Sequence, residues 1–175
     1  MNMVTASPRF SRADYELLPE GFPAQLIDGC LVKEPSPSYG HQWVLGRIYR
    51  ALALLVGDRA VPAPIDVGLD DWNVFQPDVV VLSGVPDASR HDVGVPLLAV
   101  EVLSSGTARL DRAAKLPHLL QAGVAEVWLV DPASGSIEVH APTGVRIARG
   151  ADRIASAVVA GFGLVPQELL RPPQG

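Results

Sequence analysis

Apolar positions along the chain form three kinds of pattern, and each predicts a different element. The first is an unbroken run. Leu97, Leu98, Ala99, Val100, Val102 and Leu103 show no alternation, and Glu101 alone interrupts them. Such a run predicts a central strand covered on both faces. "SSGT" then predicts a loop, followed by a helix from about Thr107 to Ala122 that Gly123 stops. "AEVWLVD" predicts the next strand, so the strand–helix–strand order predicts a right-handed parallel crossover. "DPASGS" turns the chain into "IEVHA", a hairpin partner, and "VVAGFGLVPQELL" predicts a short strand and a terminal helix.

The second pattern is a helical stripe. In "SPSYGHQWVLGRIYRALALLVG", Val44, Leu45, Ile48, Leu52 and Leu55 fall on one face, and Ser36 or Ser38 can cap the start. His41 precedes Val44, Leu45 and Ile48 by three, four and seven residues, so it points along that stripe from the N-terminal end. The third pattern is short runs punctuated by turn residues. "AQLIDGCLV" predicts two strands joined at Asp28-Gly29. "VPAPIDVGLD" and "VFQPDVVVL" predict two more, with "DDWN" as their turn, and residues 83–95 a loop rich in Gly, Pro and Asp. "SRADYELLP" begins a short helix capped by Ser11, behind a flexible N-terminal arm over residues 1–12. Together these elements predict an α/β (α+β) fold, a mixed sheet with helices on both faces, in one domain over residues 13–175.

Composition narrows the class. A chain of 175 residues that is 48% hydrophobic and 19% charged is globular and large enough for a real core. Its 16 prolines and 16 glycines are spread along the chain, so they mark turns. The net charge of −5 argues mildly against nonspecific nucleic-acid binding, while an acidic metal site would add to it. The single cysteine, Cys30, excludes an internal disulfide and any multi-cysteine zinc site. With no membrane-length apolar run and no basic start leading into an apolar stretch, a cytoplasmic protein is the expectation.

Chemistry enters through two acids. Glu101 shares a strand face with Leu97, Ala99 and Leu103, where a bare carboxylate would cost several kcal/mol or take up a proton. It therefore needs an Arg, a Lys or a metal ion as partner. A buried salt bridge is the commonplace outcome. Asp78 follows Pro77 and opens the run Val79–Leu82, and alone it reads as a turn residue. If the two strands are neighbours, both carboxylates can converge on one hard cation such as Mg²⁺. Lys115 falls nearly opposite the expected apolar face of its helix, Leu110, Ala113, Leu116 and Leu120, and an exposed pair with Asp111 is as good a reading as a functional one. Pro117 should kink that helix. Arg109 and Arg112 fit ordinary helix surface. His91-Asp92 and Asp70-Asp71 fit solvated loops. There is no phosphate-binding P-loop, no HExxH and no GxSxG.

Pro77-Asp78 followed by Glu101-Val102-Leu103 resembles the PD-(D/E)XK nuclease superfamily. The ordered set "LIDG", "SPSYGH", "QPDVVVL", "AVEVLSSGT", "DRAAK", "AGVAEVWLVDP" and "GFGL" is similar to the Uma-type (Uma-two) family of putative restriction endonucleases, over roughly residues 14–170. That resemblance implies a restriction-endonuclease-like three-layer α/β/α fold and a Mg²⁺-dependent endonuclease acting on nucleic acid, DNA first, as a homodimer, with Mn²⁺ as substitute. It implies metal binding by Asp78, Glu101 and the Val102 carbonyl, Lys115 as catalytic cation, His41 at the rim, and Gln25 and Asp111 in support. The chain departs from the pattern in four places. Leu103 stands at the superfamily's Lys, Gln25 at the family's usual Glu, Leu119 at its usual Tyr and Ser105 at a Pro. A catalytically inactive member of the fold, acting as a binding or assembly module, is the alternative that these departures favour.

Overall fold

In the computed structural model, which describes residues 9–33 and 36–171, the apolar run around Glu101 lies inside a six-stranded sheet. Helix α1 (Arg12–Tyr15) starts at Ser11, whose hydroxyl accepts from the Asp14 amide while Asp14 accepts from the Ser11 amide. Strands β1 (Ala24–Ile27) and β2 (Cys30–Lys33) form the expected hairpin, with Asp28 at φ 50° and Gly29 at φ 74° in the turn. Helix α2 (Tyr39–Val56) begins at Ser38 and buries Val44, Leu45, Ile48 and Leu52. Leu55, expected on that stripe, is instead exposed near the helix end.

The two strands expected at 61–70 and 74–82 are each broken in two. They become β3 (Ala60–Pro62), β4 (Val67–Asp70), β5 (Asn73–Phe75) and β6 (Val79–Val81). Both breaks fall at proline, where "PAP" and "QP" lack amides a continuous ladder would need. The tip of the bent hairpin, β4 and β5, joins β1 and β2 in a four-stranded sheet of order β2-β1-β5-β4. Its stem, β3 and β6, pairs within the larger sheet.

Strand β7 (Leu98–Val102) is buried along its whole length. The helical segment after it has three parts: α3 (Ala108–Leu110), a π-helical turn (Asp111–Lys115) and α4 (Leu116–Gln121). Strands β8 (Glu126–Asp131), β9 (Ser136–Ala141) and β10 (Gly144–Arg149) complete the large sheet in the order β10-β9-β8-β7-β6-β3. Only β7 and β8 pair in parallel in it, as the strand–helix–strand order predicts. A small ladder of β11 (Ile154–Ala155) with β12 (Gly163–Leu164) and helix α5 (Pro166–Leu169) close the described chain. The apolar pattern predicts neither β10 nor β11. β10 is an exposed edge whose residues lack a core-facing stripe.

Helix α2 packs on the face of Val79, Val81, Val100, Val102, Trp128 and Val130. Leu119 and Val124, with Ile27, Val67 and Phe75 of the smaller sheet, pack on the opposite face against Val80, Ala99, Leu103, Val127 and Leu129. Glu101 belongs by alternation to this second face. The expected apolar face of the 108–121 segment is corrected: Ala113 is exposed, while Asp111, Lys115 and Leu119 are buried. Pro117 cannot donate to Ala113 and would crowd its carbonyl, and the wider π turn just before it relieves both problems.

Asp92 is also corrected, from solvated loop to tie. Its carboxylate pairs with Arg12 and accepts from the amides of Gly68 at 3.0 Å and Gly94 at 2.6 Å. The arm expected over residues 1–12 lies largely outside the described residues. Where described, it is joined to the hairpins by Phe10 N–H to Gly29 O and Arg12 N–H to Asp71 O. Among the described residues no helix is long and apolar enough to cross a membrane.

Two glycines test this packing with opposite signs. A Cβ at Gly68 would collide with the Asp92 carboxylate and lie 2.7 Å from Arg12 Nη1, whereas one at Gly46, inside α2, would meet nothing within 4 Å. In thermal unfolding, Gly68→Ala is expected to destabilise by about 1–3 kcal/mol. Gly46→Ala is expected to stabilise by about 0.5–1 kcal/mol.

Candidate active site

Strand β6 runs antiparallel to β7 with Val79 opposite Val100, so one step further Asp78 stands opposite Glu101. Both acids stand at the end of the ladder where β6 begins and β7 finishes, near enough for the charge of Asp78 to act on the Glu101 carboxyl. The Asp78 carboxylate is held against β7 by the Val102 amide, which donates to Oδ2 at 2.6 Å. On its other side the Asp78 carbonyl accepts from Ala63 N–H at 2.9 Å.

The π turn delivers the cation. Lys115 Nζ lies 2.8 Å from Glu101 Oε1 and 3.2 Å from Asp111 Oδ1. The three residues are 2–4% exposed, so the exposed Asp–Lys pair considered from sequence is ruled out. The π turn places Asp111, Lys115 and Leu119 four apart on the buried side, which a plain helical wheel drawn on Leu110, Ala113, Leu116 and Leu120 misses. Leu119, at the family's Tyr position, is fully buried in the core of this face.

His41 comes from the layer on the opposite side of the sheet. It sits in the first turn of α2, its amide donating to the Ser38 hydroxyl at 3.2 Å, and its Nε2 lies 3.2 Å from Asp78 Oδ2. Contact with Asp78 raises its pKa above the ordinary imidazole value, although burial opposes this. The Val102 backbone and Asp111 also favour the charged ring, and Nδ1 is buried with no well-formed hydrogen bond among the described residues. Burial pushes the Glu101 carboxyl well above the carboxylate range. Lys115 opposes that shift, while Asp111 and Asp78 add to it. Three acids thus share the site with one lysine and one histidine.

Gln25, on β1, is fully buried, and its side-chain oxygen accepts from Gln76 N–H at 2.7 Å. Gln76 also donates from its side chain to Asp66 Oδ1 at 2.8 Å and Tyr15 Oη at 3.3 Å. Sequence reasoning passed over Gln76, Tyr15 and Asp66. The available signal was position alone, since Gln76 directly precedes Pro77-Asp78. Arg112 is taken up by Glu138 at 2.7 Å and Asp131 at 3.7 Å, which agrees with a surface role, and Arg109 is exposed.

Compared with known proteins, residues 12–165 match a family described as "Putative restriction endonuclease", Uma2. The crystal structure of a putative nuclease belonging to DUF820 from Anabaena variabilis superposes with a TM-score of 0.80 at 19% identity, over 92% of this chain and 97% of that one. That likeness shows a shared fold. No curated protein matches the chain.

The His41–Asp78 contact has a pH signature. A histidine pKa raised by folding gives stability that is complete below the unfolded value of 6.5 and is lost as pH rises through the folded value. Titration of the His41 ring by NMR should give a midpoint above 6.5, and Asp78→Asn should lower it, because it removes the largest contribution that favours the charged ring. An unchanged midpoint in Asp78→Asn would show that the contact does not set it.

Proposed function

Because the chain belongs to the Uma2 family, and because Asp78 and Glu101 face each other beside a buried lysine, we propose that it is a Mg²⁺-dependent endonuclease that hydrolyses phosphodiester bonds in DNA. The observation that carries this reading is the register of β6 on β7. It brings Asp78 and Glu101 to the same end of the ladder, with Lys115 on Glu101 Oε1.

The donor set suits a hard divalent cation. Asp78, Glu101 and the Val102 carbonyl are oxygen donors, and acids outnumber basic groups among the side chains gathered there. Among the described residues no three His, Cys, Asp or Glu side chains form a ready cage. Mg²⁺ needs none, since it is usually held by one or two carboxylates with water and phosphate completing its shell. When bound, such an ion polarises a phosphate and makes a coordinated water more acidic.

The protein's own groups supply the rest. Lys115, held by Glu101 and Asp111 in a site shielded from water, is placed where an ammonium acts more strongly on developing negative charge than it would in solvent. Asp111, 3.2 Å from the same nitrogen, anchors the lysine together with Glu101. His41, whose charged form is favoured by its contact with Asp78, would meet a phosphate oxygen at the rim.

The test is Mg²⁺ and Mn²⁺ binding by calorimetry on wild type and Glu101→Gln, followed by plasmid nicking with the same proteins. Glu101→Gln is expected to abolish measurable metal binding and to slow nicking by at least about a hundredfold. Metal binding and nicking that survive the substitution would overturn the proposal.

A further inference from the structure

Residues 76–78 belong to neither ladder, since β5 ends at Phe75 and β6 begins at Val79. This linker nevertheless sets where the Asp78 carboxylate stands. Pro77 has no amide proton, so the linker's first fixed backbone donor is the Gln76 N–H, and that N–H goes to the side chain of Gln25. The Gln76 side chain is fixed as well, by Asp66 and by Tyr15, whose hydroxyl lies 3.0 Å from Asp66 Oδ1 and 3.1 Å from the Ala24 carbonyl. Thus α1, β1 and the loop before β4 all converge on the residue two before Asp78.

We propose that Gln25 is a positioning residue for Asp78, acting through Gln76, and not the remnant of a metal ligand. The inference rests on the reading of Asp78 as a site residue. Two facts support it. Gln25 Oε1, its one atom suited to a hard cation, is engaged by the Gln76 N–H at 2.7 Å, shorter than most such bonds. Its position is also fully buried, where an amide oxygen accepts this bond without bringing in another charge. A carboxylate could make the same bond, but only by adding a fourth acid to a neighbourhood already rich in them. Loss of the acceptor would leave a buried N–H unpaired and release one anchor of the linker. Asp78 would then drift from the Val102 amide and from His41, the partners that hold its Oδ2.

The Val102 amide reports this displacement directly, because it donates to Asp78 Oδ2 at 2.6 Å. The experiment records the Val102 proton resonance in ¹⁵N-labelled wild type, Gln25→Leu and Gln25→Glu, with Mn²⁺ affinity measured on each. Gln25→Leu should move the Val102 proton upfield, as its hydrogen bond lengthens, and weaken Mn²⁺ by about tenfold or more. Gln25→Glu keeps the acceptor, so it should leave the resonance in place and Mn²⁺ affinity within about twofold. Should Gln25→Leu fail to fold, Gln76→Leu removes the side-chain anchors at a half-buried position and should shift Val102 in the same direction. An unmoved Val102 resonance in the leucine variant that folds overturns the proposal. So does a Gln25→Glu protein that binds Mn²⁺ tenfold more tightly, which is the behaviour of a restored ligand. If wild type binds no Mn²⁺, the nuclease reading falls, and the Val102 resonance still decides the role of Gln25.

Discussion

Lys115 and Glu101 meet at 2.8 Å with almost no contact with water, and much of the architecture follows from that pair. Removing one partner of a buried ion pair typically costs about 3–5 kcal/mol, because the other charge is left stranded. Here the pair is also unbalanced. Asp111 and Asp78 act on the same Glu101, so one ammonium answers several carboxylates. A closed core would have little reason to keep such an arrangement, since well-packed apolar residues of similar volume are often as stable or more so. A site that receives a cation and a phosphate has one.

Three separate devices bring the groups together. The bent hairpin moves from one sheet to the other at its prolines, which frees Asp78 from regular pairing and places it opposite Glu101. The π turn rotates Asp111 and Lys115 inward just before Pro117. Helix α2, packed on the other face of the sheet, carries His41 in its first turn to the strand end. Because each device comes from a different layer, the site lies at the edge where the layers meet. The smaller sheet, which at first sight only covers apolar surface, holds the Gln76 linker and through it one of the two acids.

Much of this was legible in the sequence. The apolar run around Glu101 and the stripe Val44, Leu45, Ile48 and Leu52 specify strand and helix because burial on one or both faces leaves a period in the residues. Asp28-Gly29 and Ser11 with Asp14 specify a turn and a cap through local chemistry. The misses share a different cause. The split of the long hairpin depends on which sheet each half joins, a tertiary choice that proline permits without dictating. The inward turn of Lys115 depends on a π turn, which a wheel drawn at a regular period cannot show. Asp92 and Gln76 became structural through partners 80 and 51 residues away, Arg12 and Gln25, and no local pattern encodes such pairs.

The most direct test of the central claim is anomalous scattering from crystals grown with Mn²⁺. The account predicts a strong peak bounded by Asp78, Glu101 and the Val102 carbonyl, with Lys115 still beside Glu101. Saturating Mn²⁺ with no peak at these residues, or with peaks only elsewhere on the surface, would contradict it. The buried acids would then be a structural ion-pair cluster on a nuclease-like scaffold.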